Sequence, residues 1–330
     1  MLSTILICVI VAALIFEFIN GFHDTACAIA TSVYTRALTP RNAIMLAAAM
    51  NLIGALMGEK VAKTISSGLV DIQLEQYVIL AALIAAIIWD LITWYFGIPS
   101  SSSHALIGGL VGATIGYCMS LEHIIWTGVL NKVVIPLFTS PVIGFLLGLF
   151  VMKVIFNLFA NFPNSKVNKA FSKLQILSAA FVAFSHGNND AQKTMGIITL
   201  ALITGGFLGA GSDVPVWVKI ICACTMATGT AVGGWKVMKT MGGSVTKLSP
   251  SNGFAAQTTA AIVIQFASFI GAPVSTTQVI TTSIMGAGTA KRLRAVKWNT
   301  AGNIAIAWVI TLPITIGLGA GCSLLLGLFM

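Results

Sequence analysis

Four short polar segments interrupt a chain that is otherwise strongly apolar: NGFHDTACA (20–28), GIPSSSSHALIGG (97–109), SHGNNDAQKT (185–194) and GAPVSTTQVITTS (271–283). They hold the residues able to do chemistry. Asp24, Asp190 and Lys193 stand within long apolar runs, where an ionised side chain costs roughly 3 kcal/mol or more and so marks a functional position. The second and fourth segments share a pattern, Gly-x-Pro followed by three or four hydroxyl residues. Pro99 and Pro273 have no N–H and disturb the helix before them, leaving backbone groups unpaired. In a membrane such a break survives only where protein buries it or it lines a polar cavity. A helix that restarts after the break offers free N–H groups, which together with the Ser/Thr hydroxyls make an anion-binding end. Two matched ends meeting near mid-membrane predict a buried substrate site for an anion.

Other chemistries fit these residues less well. A Ser–His–Asp hydrolase is conceivable from Ser101, His104 and Asp24, but no nucleophile-elbow context surrounds them, and four adjacent serines mark no single nucleophile. A metal site from His23, Asp24, His186 and Asp190 lacks H-E-x-x-H or any close ligand spacing, so no metal is expected. The six cysteines are scattered through apolar stretches without a C-x-x-C pair. They read as small packing residues, apart from Cys27 beside the first motif. No cofactor motif and no enzyme activity are expected.

The elements that must position these motifs are membrane helices. Apolar residues make up 57% and charged ones 8% of the 330, where a soluble domain carries about 25% charged. A mean hydropathy of +0.95 agrees. The net charge of +9 lies in short clusters between apolar runs, which argues against nucleic acid and for cytoplasmic membrane loops. Candidate spans are 1–19, 43–58, 77–97, 124–151, 174–186 running on through 194–210, 216–234, 255–270 and 299–328, with shorter pieces at 105–119 and 279–290. The first has no basic leader or cleavage site and reads as a retained span.

The sequence is also duplicated. With Asp24 set on Asp190, Gly21 meets Gly187, GEKVAKT (58–64) meets GWKVMKT (234–240), and Gly97, Pro99 and Ser101 meet Gly271, Pro273 and Ser275. This divides the chain into a first repeat (1–156), a short polar linker (157–173) taken as cytoplasmic, and a second repeat (174–330). Arg36 and Arg41 follow the first polar motif. Lys291, Arg292, Arg294 and Lys297 instead follow the second hairpin. Placing both clusters inside predicts oppositely oriented repeats with both termini extracellular, as in many secondary transporters. Lys60 and Lys63 fall on the wrong side, accompanied by Glu59, Asp71 and Glu75. The expected fold is an all-α polytopic membrane protein of two inverted-topology repeats, each with a re-entrant helical hairpin and broken helices.

GFHDTACAIAT, WYFGIPSSSSHALIG, AFSHGNNDAQKTMGI and APVSTTQVI resemble the signature segments of the inorganic phosphate transporter (PiT) family, particularly its bacterial low-affinity members. The resemblance runs along nearly the whole chain. It implies a plasma-membrane symporter that imports inorganic phosphate with a cation by alternating access, as a homodimer. It assigns phosphate to Ser101, Ser102, Ser103, Ser275, Thr276 and Thr277, with Asn189 and Gln192 as polar neighbours. The paired acids are Asp24 and Asp190. Their carboxylates would repel phosphate alone, so a cation must neutralise them when the anion binds. His23 and Cys27 stand where sodium-coupled members carry amide side chains, which favours a proton as the coupling ion, exchanged near physiological pH by His23. Asn188 and Asn189 keep amide oxygens in the second repeat, so sodium is the alternative ion, and sulfate the alternative anion. Asp24→Asn and Asp190→Asn are both expected to abolish coupled uptake and leave the protein folded.

Overall fold

The computed structural model describes residues 4–67, 69–71, 74–232, 234–290 and 292–329. Lys291 of the second basic cluster lies outside them. Helices dominate, because nearly every segment is apolar enough to need its backbone satisfied internally.

In the first half, α1 (Thr4–His23) and α2 (Thr25–Tyr34) form one apolar run interrupted at Asp24. Next, α3 (Pro40–Ala55) starts on Thr39, whose hydroxyl accepts from Asn42 N–H, with Pro40 in the first turn. It bends by 67° into the short α4 (Lys60–Ser67). α5 (Gln76–Phe96) stops at Gly97, which takes the left-handed conformation (φ 66°) that glycine tolerates. After Pro99, α6 (Ser102–Cys118) begins on Ser101, and α7 (Trp126–Val129) leads through a π-helical turn into α8 (Ile135–Leu158).

The second half repeats the plan. α9 (Asn164–Thr204) is followed by α10 (Val216–Val232), which bends by 64° toward α11 (Trp235–Lys239). α12 (Pro250–Phe269) ends near Gly271 (φ 73°), α13 (Thr276–Thr289) begins on Ser275, and α14 (Trp298–Gly327) closes the chain. The isolated bridges Val70–Ile124 and Thr246–Val296 match, as do the Trp126 and Trp298 indoles donating to the Leu121 and Leu293 carbonyls.

Two features differ from the sequence-based expectation. The linker is short: residues 164–173 are the first turns of α9, leaving 159–163 between helices. And α9 runs unbroken for 41 residues through Asp190, where its counterpart is interrupted at Asp24. Lys193, three residues after Asp190, closes that turn with an ion pair. The corresponding position in the first half is Cys27.

The halves interlock. α6 packs along α14, and α13 along α8. A Cβ at Gly112 would lie 2.0 Å from the Ile316 carbonyl, and one at its counterpart Gly286 would lie 2.0 Å from the Phe145 carbonyl. Close backbone approach through small residues is the usual glue of membrane helices. Every residue of α13 is buried. The outer faces of α8 and α14 instead expose Phe138, Val142, Leu146, Phe150, Ile306 and Val309 to lipid. Among the described residues, four helical stretches are long and apolar enough to cross a membrane, or six when each bent pair counts as one span.

Lys60 and Lys63, which the charge rule set on the wrong side, find partners outside their own sequence neighbourhood, Lys60 at the Phe269 carbonyl. Lys63 pairs with Asp213 at 2.6 Å and holds that exposed carboxyl below its ordinary range by hydrogen bond and charge. Glu59 pairs with Lys219 at 3.1 Å.

Candidate functional site

The two polar hairpin turns meet in the core. Ser101 and Ser275 start α6 and α13 as N-caps, their hydroxyls accepting from the N–H groups of His104 and Gln278 at 3.2 and 3.3 Å. The next hydroxyl in each helix is turned on an aspartate: Ser102 donates to Asp24 Oδ2 at 2.8 Å, and Thr276 donates to Asp190 Oδ2 at 2.9 Å. The third pair differs. Ser103 donates to the Val274 carbonyl at 3.2 Å, linking one helix start to the other hairpin, while the buried Thr277 hydroxyl has no hydrogen-bond partner and lies beside Cys27.

Asp24 and Asp190 come from different halves yet converge. With His186 they place ligand atoms within 4.8 Å of one another, the spacing at which three groups share one small cation. Three of the four residues weighed as a metal set thus meet, without a sequence motif. His23 flanks Asp24 instead, its Nδ1 2.6 Å from Oδ1. His186 Nε2 lies 3.2 Å from Asp190 without hydrogen-bond alignment, and its Nδ1 faces Asn51 Oδ1 at 3.1 Å.

Lys193 is the centre of the second half. Its ammonium donates to Asp190, to the Ser103 hydroxyl and to the Val274 carbonyl, so one buried cation ties an aspartate to both hairpins. The hydrolase arrangement is not formed. Ser101 is occupied by a backbone N–H, and Asp24 by His23 and Ser102.

Asn188 and Gln192 are not beside the aspartates. Gln192 Oε1 accepts from the Val61 and Ala62 N–H groups at 2.9 and 3.3 Å, capping α4, and Asn188 donates to Gln265 at 3.3 Å. Both line a cavity of about 300 Å³ with Glu59, Lys60, Gln265 and Ser268. The reason is helical phase. In an unbroken α9, positions 186, 190 and 193 share one face, and 188 and 192 another. Asn189 lies between the two, donating to Ser268 at 2.9 Å and to the Ala272 carbonyl at 3.3 Å, with its own oxygen unpartnered.

Glu17 and Asp90 are buried acids outside the four polar segments, and motif reasoning misses both. Thr194 donates to Glu17, whereas neither oxygen of Asp90 has a partner. Each is a single charge in an apolar run, IFEFIN or IIWDLIT, and the rule that marked Asp24 marks them equally.

Each hairpin turn is also held by the opposite half. Lys236 donates to the Tyr95 carbonyl at 3.1 Å and lies 4.6 Å over that ring, while Thr240 donates to the Gly97 carbonyl at 2.9 Å. The counterparts Lys60 and Thr64 donate to the Phe269 and Gly271 carbonyls at 3.0 and 2.7 Å. These are the terminal carbonyls that a helix leaves unsatisfied. The shared K-x-x-x-T of the duplication is a reciprocal clasp.

Matched broken-end helices meeting buried carboxylates in a lipid-facing helical bundle define a membrane transport protein. The chain belongs to the phosphate transporter family, whose profile, described as "Phosphate transporter family", matches residues 20–319. It is 50% identical over 317 residues to a Bacillus subtilis (strain 168) protein named "Probable low-affinity inorganic phosphate transporter", covering 95% of each chain. A protein of the same name from Rhizobium meliloti (strain 1021) is 47% identical over 320 residues, covering 96% of this chain and 95% of that one. A solved structure named "The sodium-dependent phosphate transporter" superposes with a TM-score of 0.89 at 26% identity, covering 99% of this chain and 100% of the other. This is a multi-pass membrane protein that acts in phosphate transport and not as an enzyme.

Proposed function

We propose that the protein imports inorganic phosphate together with protons across the plasma membrane, by alternating access around the junction of α6 and α13. The observation that carries this is the convergence of Asp24 and Asp190, each receiving a hydroxyl from the hairpin helix of its own half. Two helix N-termini and Lys193 favour an anion there. Phosphate at neutral pH carries one to two negative charges, so its arrival beside two carboxylates requires added positive charge. Lys193 exchanges Asp190 for phosphate, and an incoming cation takes its place on the aspartate. Phosphate is preferred over sulfate because it donates as well as accepts, and the Val274 carbonyl and the carboxylates are acceptors.

The His23–Asp24 contact supports the proton, since an imidazole on a carboxylate binds and releases one near neutrality. Sodium is the second reading, favoured by the unpartnered oxygen of buried Asn189 and by the likeness to a sodium-dependent phosphate transporter. The matched clasps, bridges and hairpins support two structural repeats, and the placing of the basic clusters supports their inverted topology, with both termini extracellular and the linker cytoplasmic. A homodimer follows from the family resemblance. The cavity at Asn188 and Gln192 adjoins Ser268 and Asn189, and serves as an approach to the site from that side.

Labelled-phosphate uptake into proteoliposomes, with pH and sodium gradients imposed separately at fixed membrane potential and sulfate as competitor, tests the proposal. Uptake driven by the pH gradient without sodium is expected. Strict sodium dependence with no response to pH reverses the choice of ion, and uptake blocked by sulfate reverses the choice of anion.

A further inference from the structure

Basic residues and lipid-facing surface come together at the start of α9. Lys166, Lys169 and Lys173 stand in its first turns, all three exposed, and none has an ion pair among the described residues. With 3.6 residues per turn, Lys166 and Lys173 share one stripe with Leu177, Ala180 and Phe184, and Lys169 flanks it. Phe171, Gln175 and Ser178 are buried on the opposite side of the helix.

The stripe runs into a groove. A cavity of about 480 Å³ is lined by Leu177, Ala180, Phe181 and Phe184 of α9, Met50 of α3 and Phe254 of α12. Its walls are apolar, and the neighbouring Ser178 hydroxyl is turned inward onto Gln257 at 2.9 Å. Leu177, 69% exposed, follows Lys173 by one turn, about 6 Å along the axis. Phe171 and Phe254 meet edge to face at 5.3 Å. That contact sets the first turn of α12, with its positive end, level with the lysines. Exposed Lys247 precedes that turn.

No acid answers this charge. α3 and α12 contain neither Asp nor Glu, and α9 contains only the buried Asp190. Between Glu122 and Asp190 the chain holds five lysines and no acid. The rule that keeps basic residues cytoplasmic neither sets them on one helical face nor excludes acids, which contribute little to orientation. A lysine face free of acids complements a phosphodiester headgroup, and the apolar groove one turn further on complements an acyl chain. In the first repeat Val11, Leu14 and Phe18 stand where Leu177, Ala180 and Phe184 do, with no basic residue before them. The feature therefore belongs to one leaflet, the inner one in the orientation proposed above.

We propose that the α3–α9–α12 groove binds an anionic phospholipid of that leaflet, its headgroup on Lys166, Lys169 and Lys173 and one acyl chain along Leu177, Ala180 and Phe184. Lysine clusters at the cytoplasmic end of membrane helices attract such lipids. The bound lipid joins α9, which carries Asp190, to α12, which leads into the second hairpin. It thus bears on two elements of the transport site without entering it, whichever ion is coupled.

The test uses the full-length protein purified in neutral detergent, with phosphatidylglycerol or phosphatidylcholine of the same acyl chains added. Native mass spectrometry counts the lipids retained and the copies of the chain, and thermal unfolding gives the shift on binding. Phosphatidylglycerol should be retained and raise the midpoint, and phosphatidylcholine at the same concentration should do neither. Equal retention of the two overturns the proposal. Lys166→Gln with Lys169→Gln and Lys173→Gln should weaken phosphatidylglycerol binding about tenfold or more, since each lysine near a membrane surface adds to the attraction. Arg292→Gln with Arg294→Gln and Lys297→Gln removes the same charge from the same side and should leave binding nearly unchanged. Equal loss in both would mean diffuse attraction to a basic surface, with no site. Ala180→Phe fills the groove with the lysines intact and should also release the lipid, and a folded variant that binds as before overturns the groove. Where Ala180→Phe does not fold, the lysine variant decides, because its changes are confined to exposed residues. A fall from two copies to one in the lysine variant, with the lipid count unchanged, would show that this face seats a second copy of the chain instead.

Discussion

Asp24 and Asp190 occupy matching places in the duplication, yet their neighbours make them unlike. Asp190 is paired with buried Lys193, whereas Asp24 is held by His23 and Ser102. The expectation that both asparagine variants leave the protein folded is therefore kept as a prediction for Asp24 and revised for Asp190. Removing one partner of a buried ion pair costs about 3–5 kcal/mol, because the other charge is left uncompensated. Thermal unfolding of the purified variants should show Asp190→Asn markedly destabilised, Asp24→Asn close to native, and Asp190→Asn with Lys193→Met largely recovered. Equal midpoints for the two single variants would mean that the pair contributes nothing. The hydroxyls divide in the same way. Ser102→Ala and Thr276→Ala each remove a hydrogen bond to a charged group, worth roughly 1.5–3 kcal/mol, so phosphate binding measured by calorimetry should weaken about tenfold or more in both. Ser101→Ala and Ser275→Ala remove N-caps instead, and should lower stability by about 1 kcal/mol with a smaller effect on affinity.

At the level of elements, the hairpin turns are fixed less by their own residues than by the clasp each receives from the other half. A cation at a helix C-terminus is worth about 0.3–1 kcal/mol, and each clasp adds a threonine hydrogen bond to it. The turn at 97–101 is held by Lys236 and Thr240, not by Lys60 and Thr64. A cysteine at buried Ser100, in protein whose exposed Cys8 and Cys224 are changed to serine, reports how often this turn opens. Lys236→Met with Thr240→Val should speed its reaction with a membrane-impermeant thiol reagent, and Lys60→Met with Thr64→Val should not. Equal acceleration by both pairs would show that the clasps act through the whole bundle and not on their own turns.

Over the whole molecule, the interlock makes the halves interdependent. α6 finds its glycine-mediated packing on α14, and α13 finds its own on α8, so neither half alone can cover its hairpin helix. Fragments 1–163 and 164–330 should each aggregate when made separately and co-purify when made together with a tag on one. A monodisperse single half in detergent would contradict this. Gly112→Leu and Gly286→Leu should be equally damaging, since each drives a side chain into a backbone carbonyl of the opposite half.

Much of this was legible in the chain itself. The membrane spans, the duplication and the four polar segments follow from composition and order, because an apolar solvent makes each charge and helix break expensive enough to stand out. Asp90 and Glu17 obey the same rule and were readable by it, but isolated acids in apolar runs lack the clustered polar neighbours that drew attention to Asp24. Other features depended on the phase of a helix and on which surfaces meet. That α9 continues unbroken sends Gln192 to cap α4 and keeps Asn188 from the aspartates, although both lie within four residues of Asp190. The bonds from Lys193 to Ser103 and Val274 and the crossing of each clasp to the opposite half are contacts between segments far apart in the chain. Residue type sets what such a side chain can bond, and only the packed bundle sets which partner is within reach.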